Sequence, residues 1–124
     1  MNVPETLKYT NDHEWALIEG DIATLGITEY AAGELGDVVY VELPEVGSQA
    51  GKGDSIGTIE AVKTVADLYS PLSGKIIEVN ESLNDSAELI NQDPYGKGWI
   101  AKLKIANPAE IEQLLSADDY QKLI

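Results

Sequence analysis

The stretch GTIEAVKTVADLYSP, residues 57–71, constrains this chain more than any other. Ile59, Val62, Val65 and Tyr69 are branched or aromatic strand formers, and Gly57 and Pro71 bracket them. The run reads as one β-hairpin with Lys63 close to its tip, where a side chain is held out in water. A lysine at a hairpin tip taken at random is usually an ordinary surface residue. Lys63 gains weight because almost nothing else in the sequence can do chemistry.

A chain built around such a hairpin is mainly β. From Glu45 onward, short strands alternate with Gly, Ser, Asn and Asp at close intervals, which favours a small sandwich or barrel over alternating strands and helices. The chain has 124 residues, one domain by size (1–124), with enough apolar content to bury a modest core. It has no cysteine, so disulfide staples, thiol catalysis and zinc–thiolate sites are excluded together.

Taken in order, 7–10 is a short extended lead-in and 11–13 a turn. Residues 14–18 and 21–27 are two strands joined through Glu19 and Gly20. Thr28 is an N-cap for a short helix near 28–35, punctuated by Gly33 and Gly36. DVVYVEL at 37–43 is the strongest strand pattern and Pro44 stops it. Further strands are expected at 73–79 and 99–105, with a turn-rich loop at 93–98. Segments 46–56 and 79–89 share an apolar start, a turn-forming middle and an apolar re-entry, which suggests two related halves flanking the hairpin. Asn107 and Pro108 open a C-terminal helical segment, 107–124, in which Ile111, Leu114 and Leu115 recur at helical spacing and Ser116 caps the last turns. Trp15, Trp99, Tyr40 and Tyr69 are assigned to core or cleft walls.

The net charge is −14, from 22 acidic residues against eight lysines and no arginine. Such a surface repels phosphate backbones and anionic lipid, which argues against nucleic-acid and membrane partners, and it lacks the bidentate clamp for phosphate ligands. It would attract partners with basic rims, although plain solubility accounts for the charge equally well. No apolar run is long enough to span a bilayer, and the first residues are neither a signal nor a transit peptide. The expected location is the cytoplasm, or the mitochondrial matrix if a presequence has been removed.

A serine triad needs a base, and the only histidine, His13, comes with no nucleophile elbow. Asp12, His13 and Glu14 are consecutive, so they rarely converge on one metal ion, and a structural or surface histidine is the better reading. GKGD at 51–54 lacks the spacing of a phosphate loop and reads as a turn. Any pair drawn from 22 carboxylates is uninformative. The chain looks built to present something. At neutral pH an exposed lysine is protonated and a poor nucleophile, yet an acylating enzyme can convert it to a neutral amide. An acylated lysine arm of about a dozen bonds reaches on the order of 14 Å from the backbone.

Over essentially its whole length the chain resembles the H proteins of the glycine cleavage system. The resemblance is carried by LKYTNDHEW at 7–15, GITEYA at 26–31, LGDVVYVELPEVG at 35–47, EAVK at 60–63, YSPLSG at 69–74, EVN at 78–80 and NQDPYGKGW at 91–99. It implies a lipoyl-domain-like sandwich of two small antiparallel sheets, a barrel-sandwich hybrid with added helices, and lipoate in amide linkage on Lys63. The family usually has serine where this chain has Ala61. Biotin carriers place methionines on both sides of their lysine, which Val62 and Thr64 do not match.

By the same resemblance the chain is a monomeric moving substrate and not an enzyme. Glycine decarboxylase (P protein) would load the aminomethyl group on lipoate, the aminomethyltransferase (T protein) would pass it to tetrahydrofolate, and dihydrolipoamide dehydrogenase (L protein) would reoxidise the dithiol. The loaded arm is labile to water and its amine is cationic, so a sheltering cleft with a carboxylate is expected. The family positions matching Glu14 and Asp67 are the usual acceptors. Asp12, where relatives often have serine, contributes. Glu60, three residues before Lys63, would be recognised by the lipoyl-attaching enzyme. Two alternatives stay open: a lipoate depot serving other dehydrogenase complexes, which needs the same Lys63, and, remotely, an enzyme acting through His13 and nearby carboxylates.

Overall fold

The computed structural model describes residues 1–124. Nine strands form two antiparallel sheets packed as a sandwich, not closed into a barrel. The larger sheet contains β1 (Lys8–Tyr9), β2 (Glu14–Glu19), β3 (Ile22–Ile27), β5 (Gln49–Ala50), β8 (Gly74–Val79) and β9 (Ala101–Ile105), in the order β1-β2-β3-β9-β8-β5. The smaller sheet contains β4 (Val38–Glu42), β6 (Ser55–Ala61) and β7 (Val65–Tyr69), in the order β4-β6-β7. The expected mainly-β sandwich is therefore the fold observed.

Helix α1 (Glu29–Leu35) links β3 of the larger sheet to β4 of the smaller and starts as expected, with the Thr28 side chain accepting from the Ala31 N–H at 3.2 Å. Gly33 lies inside it; the stop is Gly36, at φ 80° and ψ −153°, a conformation open essentially only to glycine. Ile27, Val41, Ile59, Leu68, Leu83, Ile90 and Ile100 form the largest apolar cluster, joining α1 and both sheets. A second cluster of Leu25, Leu72, Ile76 and Leu103 fills the end nearer β5.

Two expectations about the second half are corrected. Segments 46–56 and 79–89 are not related halves: the first holds β5 and tight turns, whereas the second turns into α2 (Ser82–Asp85), followed by α3 (Leu89–Gln92). Asn80 causes the difference. Its amide donates to the Lys97 and Trp99 carbonyls, both at 2.8 Å, and its Oδ1 accepts from the Ser82 N–H at 3.3 Å. This folds the chain back and buries Leu83 and Ile90. The C-terminal segment is helical in two pieces, a 3-10 helix (Pro108–Gln113) and α4 (Ala117–Leu123). Between them Leu115 exchanges backbone hydrogen bonds with Tyr9, at 2.9 and 2.7 Å, because the open edge of β1 offers unpaired groups that a continuous helix would leave unsatisfied.

The aromatic assignments divide. Trp15 is core, 1% exposed, with its indole N–H donating to the Pro94 carbonyl at 3.0 Å. Trp99 is half-buried beneath Lys102, whose Nζ lies 5.4 Å from the ring centroid. Tyr40 faces solvent. Strict alternation from buried Val38 would point Tyr40 inward, but a β-bulge separates the Val38↔Ala61 pair from Tyr40↔Glu60, leaving Val39 as an extra residue. Val39 and Tyr40 both turn outward, and Val41 returns to the core.

Gly26 pairs with Trp15, and a Cβ built there would lie 2.6 Å from the indole ring. Replacing Gly26 with Ala should therefore lower unfolding stability by about 1–3 kcal/mol, as overpacking against an immobile ring does. Urea denaturation followed by tryptophan fluorescence checks this, and an unchanged midpoint would contradict it.

Candidate functional site

The hairpin expected from residues 57–71 is formed by β6 and β7, paired through Thr58↔Asp67, Ile59↔Ala66 and Glu60↔Val65. Lys63 is exposed in the turn between them. The turn is tied down on two sides: the Ala61 N–H donates to the Thr64 carbonyl at 2.8 Å, and the Val62 N–H to the Asp37 carbonyl at 3.0 Å. Asp37 is itself held by Asn91 of α3, which accepts from the Val38 N–H at 2.9 Å and donates to the Gly36 carbonyl at 2.8 Å. The lysine stem rests beside Gly36, where a Cβ would come within 3.4 Å of Lys63 Cε. Thus a rigid backbone carries a long, free side chain.

Pairing places Glu60 on the outward face of the smaller sheet, between Tyr40 and Val65, so it flanks the lysine's hairpin and takes no part in any cleft. The other three sequence-identified acids converge. A cleft of about 180 Å³ opens between the 12–14 segment, α1 and β7. Ile27, Ala31, Leu35, Ile59 and Ala66 make its apolar walls; Asp12, Glu14 and Asp67 bring it carboxylates, joined by Glu34, which the sequence reading does not identify, and His13 lines it as well.

Glu14 is the unusual group, with 2% of its surface exposed. One carboxyl oxygen accepts from the Thr10 hydroxyl at 2.8 Å, the other from the Tyr69 N–H at 3.0 Å. Burial pushes its pKa from 4.5 up to about 7; the two hydrogen bonds oppose that rise and the nearby Asp12 charge adds to it. Asp67 is exposed: its Oδ1 accepts from the Ser55 hydroxyl at 3.1 Å, and the Tyr69 hydroxyl lies 3.5 Å from Oδ2. That carboxylate is the main cause of the raised Tyr69 pKa. A second hollow, also about 180 Å³, lies on the other side of Asp12 and Glu14, towards Lys52, Tyr69 and Leu115.

His13 is structural, as its sequence context suggests, and the way it is held is specific. It is the only non-glycine residue at positive φ, 68°. Its Nδ1 lies 2.8 Å from the Tyr120 hydroxyl, which lies 2.8 Å from Thr28 Oγ1. The cleft margin is thereby pinned to α4. Only the proximity of His13 to Glu14 in sequence could hint at this; Tyr120 is 107 residues away. The apolar walls also escape sequence reasoning, since Ile27, Ala31 and Ile59 look like ordinary core residues. No three His, Cys, Asp or Glu side chains are grouped so as to hold a metal ion, and no helix is long and apolar enough to cross a membrane.

The arrangement suits a tethered, mostly apolar arm ending in a cation. Asp67 lies four residues on from Lys63, at most about 13 Å along the chain at ~3.3 Å per residue. This is within the reach of a lipoyl-lysine arm.

Known proteins resemble this chain over nearly its whole length. A family model described as Glycine cleavage H-protein matches residues 7–124. A glycine cleavage system H protein from Staphylococcus epidermidis is 53% identical over 124 residues, covering 100% of this chain and 98% of the relative. One from Carboxydothermus hydrogenoformans is 52% identical over 122 residues, covering 98% and 94%. Among solved structures, the crystal structure of a glycine cleavage system H protein from Mycobacterium marinum aligns with a TM-score of 0.89 at 41% identity over 97% of each chain.

The raised Glu14 pKa has a defined effect on stability. The folded protein holds this proton more tightly than the unfolded chain, so the contribution is complete below about pH 4.5 and is lost as pH rises through about 7. The loss amounts to about 3 kcal/mol, from roughly 1.4 kcal/mol per pKa unit. Urea unfolding of the native chain and of Glu14→Gln from pH 4 to 8 should show the difference in stability moving in favour of the variant with rising pH. A pH-independent difference would mean that Glu14 titrates normally.

Proposed function

The chain belongs to the glycine cleavage H-protein family, and from that premise we propose that it is a lipoyl carrier and not an enzyme, with lipoate in amide linkage on Lys63. It would shuttle the aminomethyl group of glycine among the system's P, T and L proteins. The observation that carries this reading is the juxtaposition of an exposed lysine on a rigid hairpin tip with an apolar, carboxylate-bearing cleft within one arm's length. Lipoate held on Lys63 would supply a disulfide able to take a one-carbon amine on one sulfur, and afterwards a dithiol that another enzyme can reoxidise. The remaining steps fall to this chain's own residues.

Lys63 supplies the attachment nitrogen, and its position at the tip leaves the attached group free to enter other proteins' active sites. Ile27, Ala31, Leu35, Ile59 and Ala66 exclude water from the stowed arm. Glu14 and Asp67, assisted by Asp12, hold a cationic amine through charge-assisted hydrogen bonds. A carboxyl with a pKa of about 7 is well matched to that cation, because near neutrality it can be buried protonated when the cleft holds no charge and ionise when one arrives. Glu60, outside the cleft and beside the lysine, is left for the lipoyl-attaching enzyme to recognise.

This geometry favours a shuttle over a lipoate depot. A depot needs only Lys63, whereas a sheltering cleft is useful only if the arm carries something water would destroy.

Intact mass spectrometry of protein produced with lipoate available should show one lipoyl increment, absent from Lys63→Arg. An increment lost only when a different lysine is replaced would end the carrier reading. The loaded form should support glycine/bicarbonate exchange with the decarboxylase, which a depot need not do. Glu14→Ala should hydrolyse its loaded arm faster than the native protein by about tenfold, the equivalent of one hydrogen-bonded charge contact of roughly 1.4 kcal/mol. An unchanged hydrolysis rate, read by ammonia and formaldehyde release, would remove Glu14 from the cleft's function.

A further inference from the structure

Two walls of the cleft meet at a single hydroxyl. Tyr120 stands on α4, fully buried, its ring stacked on Tyr9 with centroids 4.7 Å apart and planes 8° from parallel. Its hydroxyl lies 2.8 Å from His13 Nδ1 and 2.8 Å from Thr28 Oγ1. Burial raises the pKa of this phenol, so the hydroxyl keeps its one hydrogen, donating to one partner and accepting from the other. Thr28 already accepts the Ala31 N–H. The assignment that leaves no hydrogen idle therefore runs from the Thr28 hydroxyl to Tyr120 and on to a neutral His13 nitrogen.

The two partners belong to opposite lips of the cleft. Thr28 caps α1, which lines it with Ala31, Glu34 and Leu35. His13 sits between the cleft acids Asp12 and Glu14, at a φ of 68° that a residue with a Cβ occupies only under strain. Its neighbours hold it there. The His13 N–H donates to the Thr10 carbonyl at 3.2 Å, its own carbonyl accepts the Thr28 N–H at 3.0 Å, and its ring lies 4.8 Å from that of Tyr30. Asp12 gains most from this fixing, since its one hydrogen bond runs from its N–H to Thr10 Oγ1 at 3.2 Å.

We propose that the Tyr120 hydroxyl is a positioning group for the stowed arm: by clamping the 12–14 segment to α1 it keeps the cleft closed over a cationic aminomethyl thioether and sets how slowly water reaches it. The proposal rests on the carrier reading and adds to it a residue that does not line the cleft. Tyr120 touches neither the arm nor its amine and acts through His13 and Thr28. The third wall, β7, is fixed independently by its pairing with β6, so the cleft opens where the 12–14 segment meets α1. The reaction held off is hydrolysis. The C–S bond breaks with its electron pair passing to sulfur, water adds to the carbon, and thiol, formaldehyde and ammonium result, with no oxidant or reductant required.

The test uses the full-length lipoylated protein, loaded by glycine decarboxylase with glycine, and times the release of ammonia and formaldehyde. Tyr120→Phe keeps the ring on Tyr9 and removes the hydroxyl; it should release about tenfold faster, the effect of losing one buried hydrogen bond. His13→Asn tolerates the same φ and breaks the clamp from the other end, so it should give a similar rise, and the double variant should be no faster than the faster single. On the unloaded protein, amide hydrogen exchange followed by NMR should show the Thr28 N–H exchanging about tenfold faster in Tyr120→Phe, a local loosening that needs no arm chemistry. Ile76→Val, in the apolar cluster near β5, controls for general loss of stability: it should lower the urea midpoint and leave both readouts at native values. Native release rates in Tyr120→Phe and His13→Asn would overturn the clamp, and so would an equal acceleration in Ile76→Val. A native protein that releases as fast as free aminomethyl-lipoamide would instead overturn the sheltering cleft on which the proposal rests.

Discussion

A carboxyl group almost entirely withdrawn from water must have its lone pairs satisfied by its neighbours, and Glu14 imposes that requirement on both sheets at once. It stands on β2 of the larger sheet and accepts the Tyr69 N–H from β7, the edge strand of the smaller one. Its other oxygen takes the Thr10 hydroxyl, which fixes the turn before β2. One side chain therefore covers a sheet edge, closes the side of the sandwich and supplies the acid in the cleft wall. Removing either partner would leave a buried polar group unpaired, costing roughly 1–3 kcal/mol. Structure and proposed chemistry meet in the same two hydrogen bonds.

The hairpin tip depends on a comparable chain of contacts. Asn91 holds the Gly36–Val38 backbone, Asp37 holds Val62, and Lys63 projects beyond. α3, which supplies Asn91, thus has a role out of proportion to its four residues. At the other margin, α4 reaches the cleft through Tyr120 and His13. The tip and the cleft are each braced by a helix distant in sequence, which is how a small protein keeps two parts of one site in register.

Much of this is legible from local pattern. The strand runs at 14–18, 21–27 and 37–43, the hairpin with Lys63 at its turn, and the capping residues Thr28, Asn107 and Ser116 all signal through neighbouring residues. The family resemblance marks Asp12, Glu14 and Asp67, and they do share one cleft. α2 and α3 cannot be read in advance, because each is a single turn stabilised by Asn80 and by burial of Leu83 and Ile90, not by its own periodicity. Leu114 and Leu115 fit helical spacing, yet an open strand edge at Tyr9 competes successfully for the backbone. Tyr40 departs from the expected core or cleft wall because a bulge resets which face a strand residue occupies, and a bulge leaves no mark in alternation.

The sequence by itself determined the mainly-β class, the exposed lysine at the hairpin turn, the acidic surface and the lack of other reactive groups. These follow from residue type and spacing within a few positions. Only the tertiary structure decided that Glu14 would be buried with a carboxyl titrating near neutrality, that apolar residues from four separate elements would wall its cleft, and that Tyr40 would face outward opposite Glu60. Each of those depends on which strands pair, in which register, and on what covers their edges. Such properties arise from contacts between residues far apart in the chain, and no local window contains them.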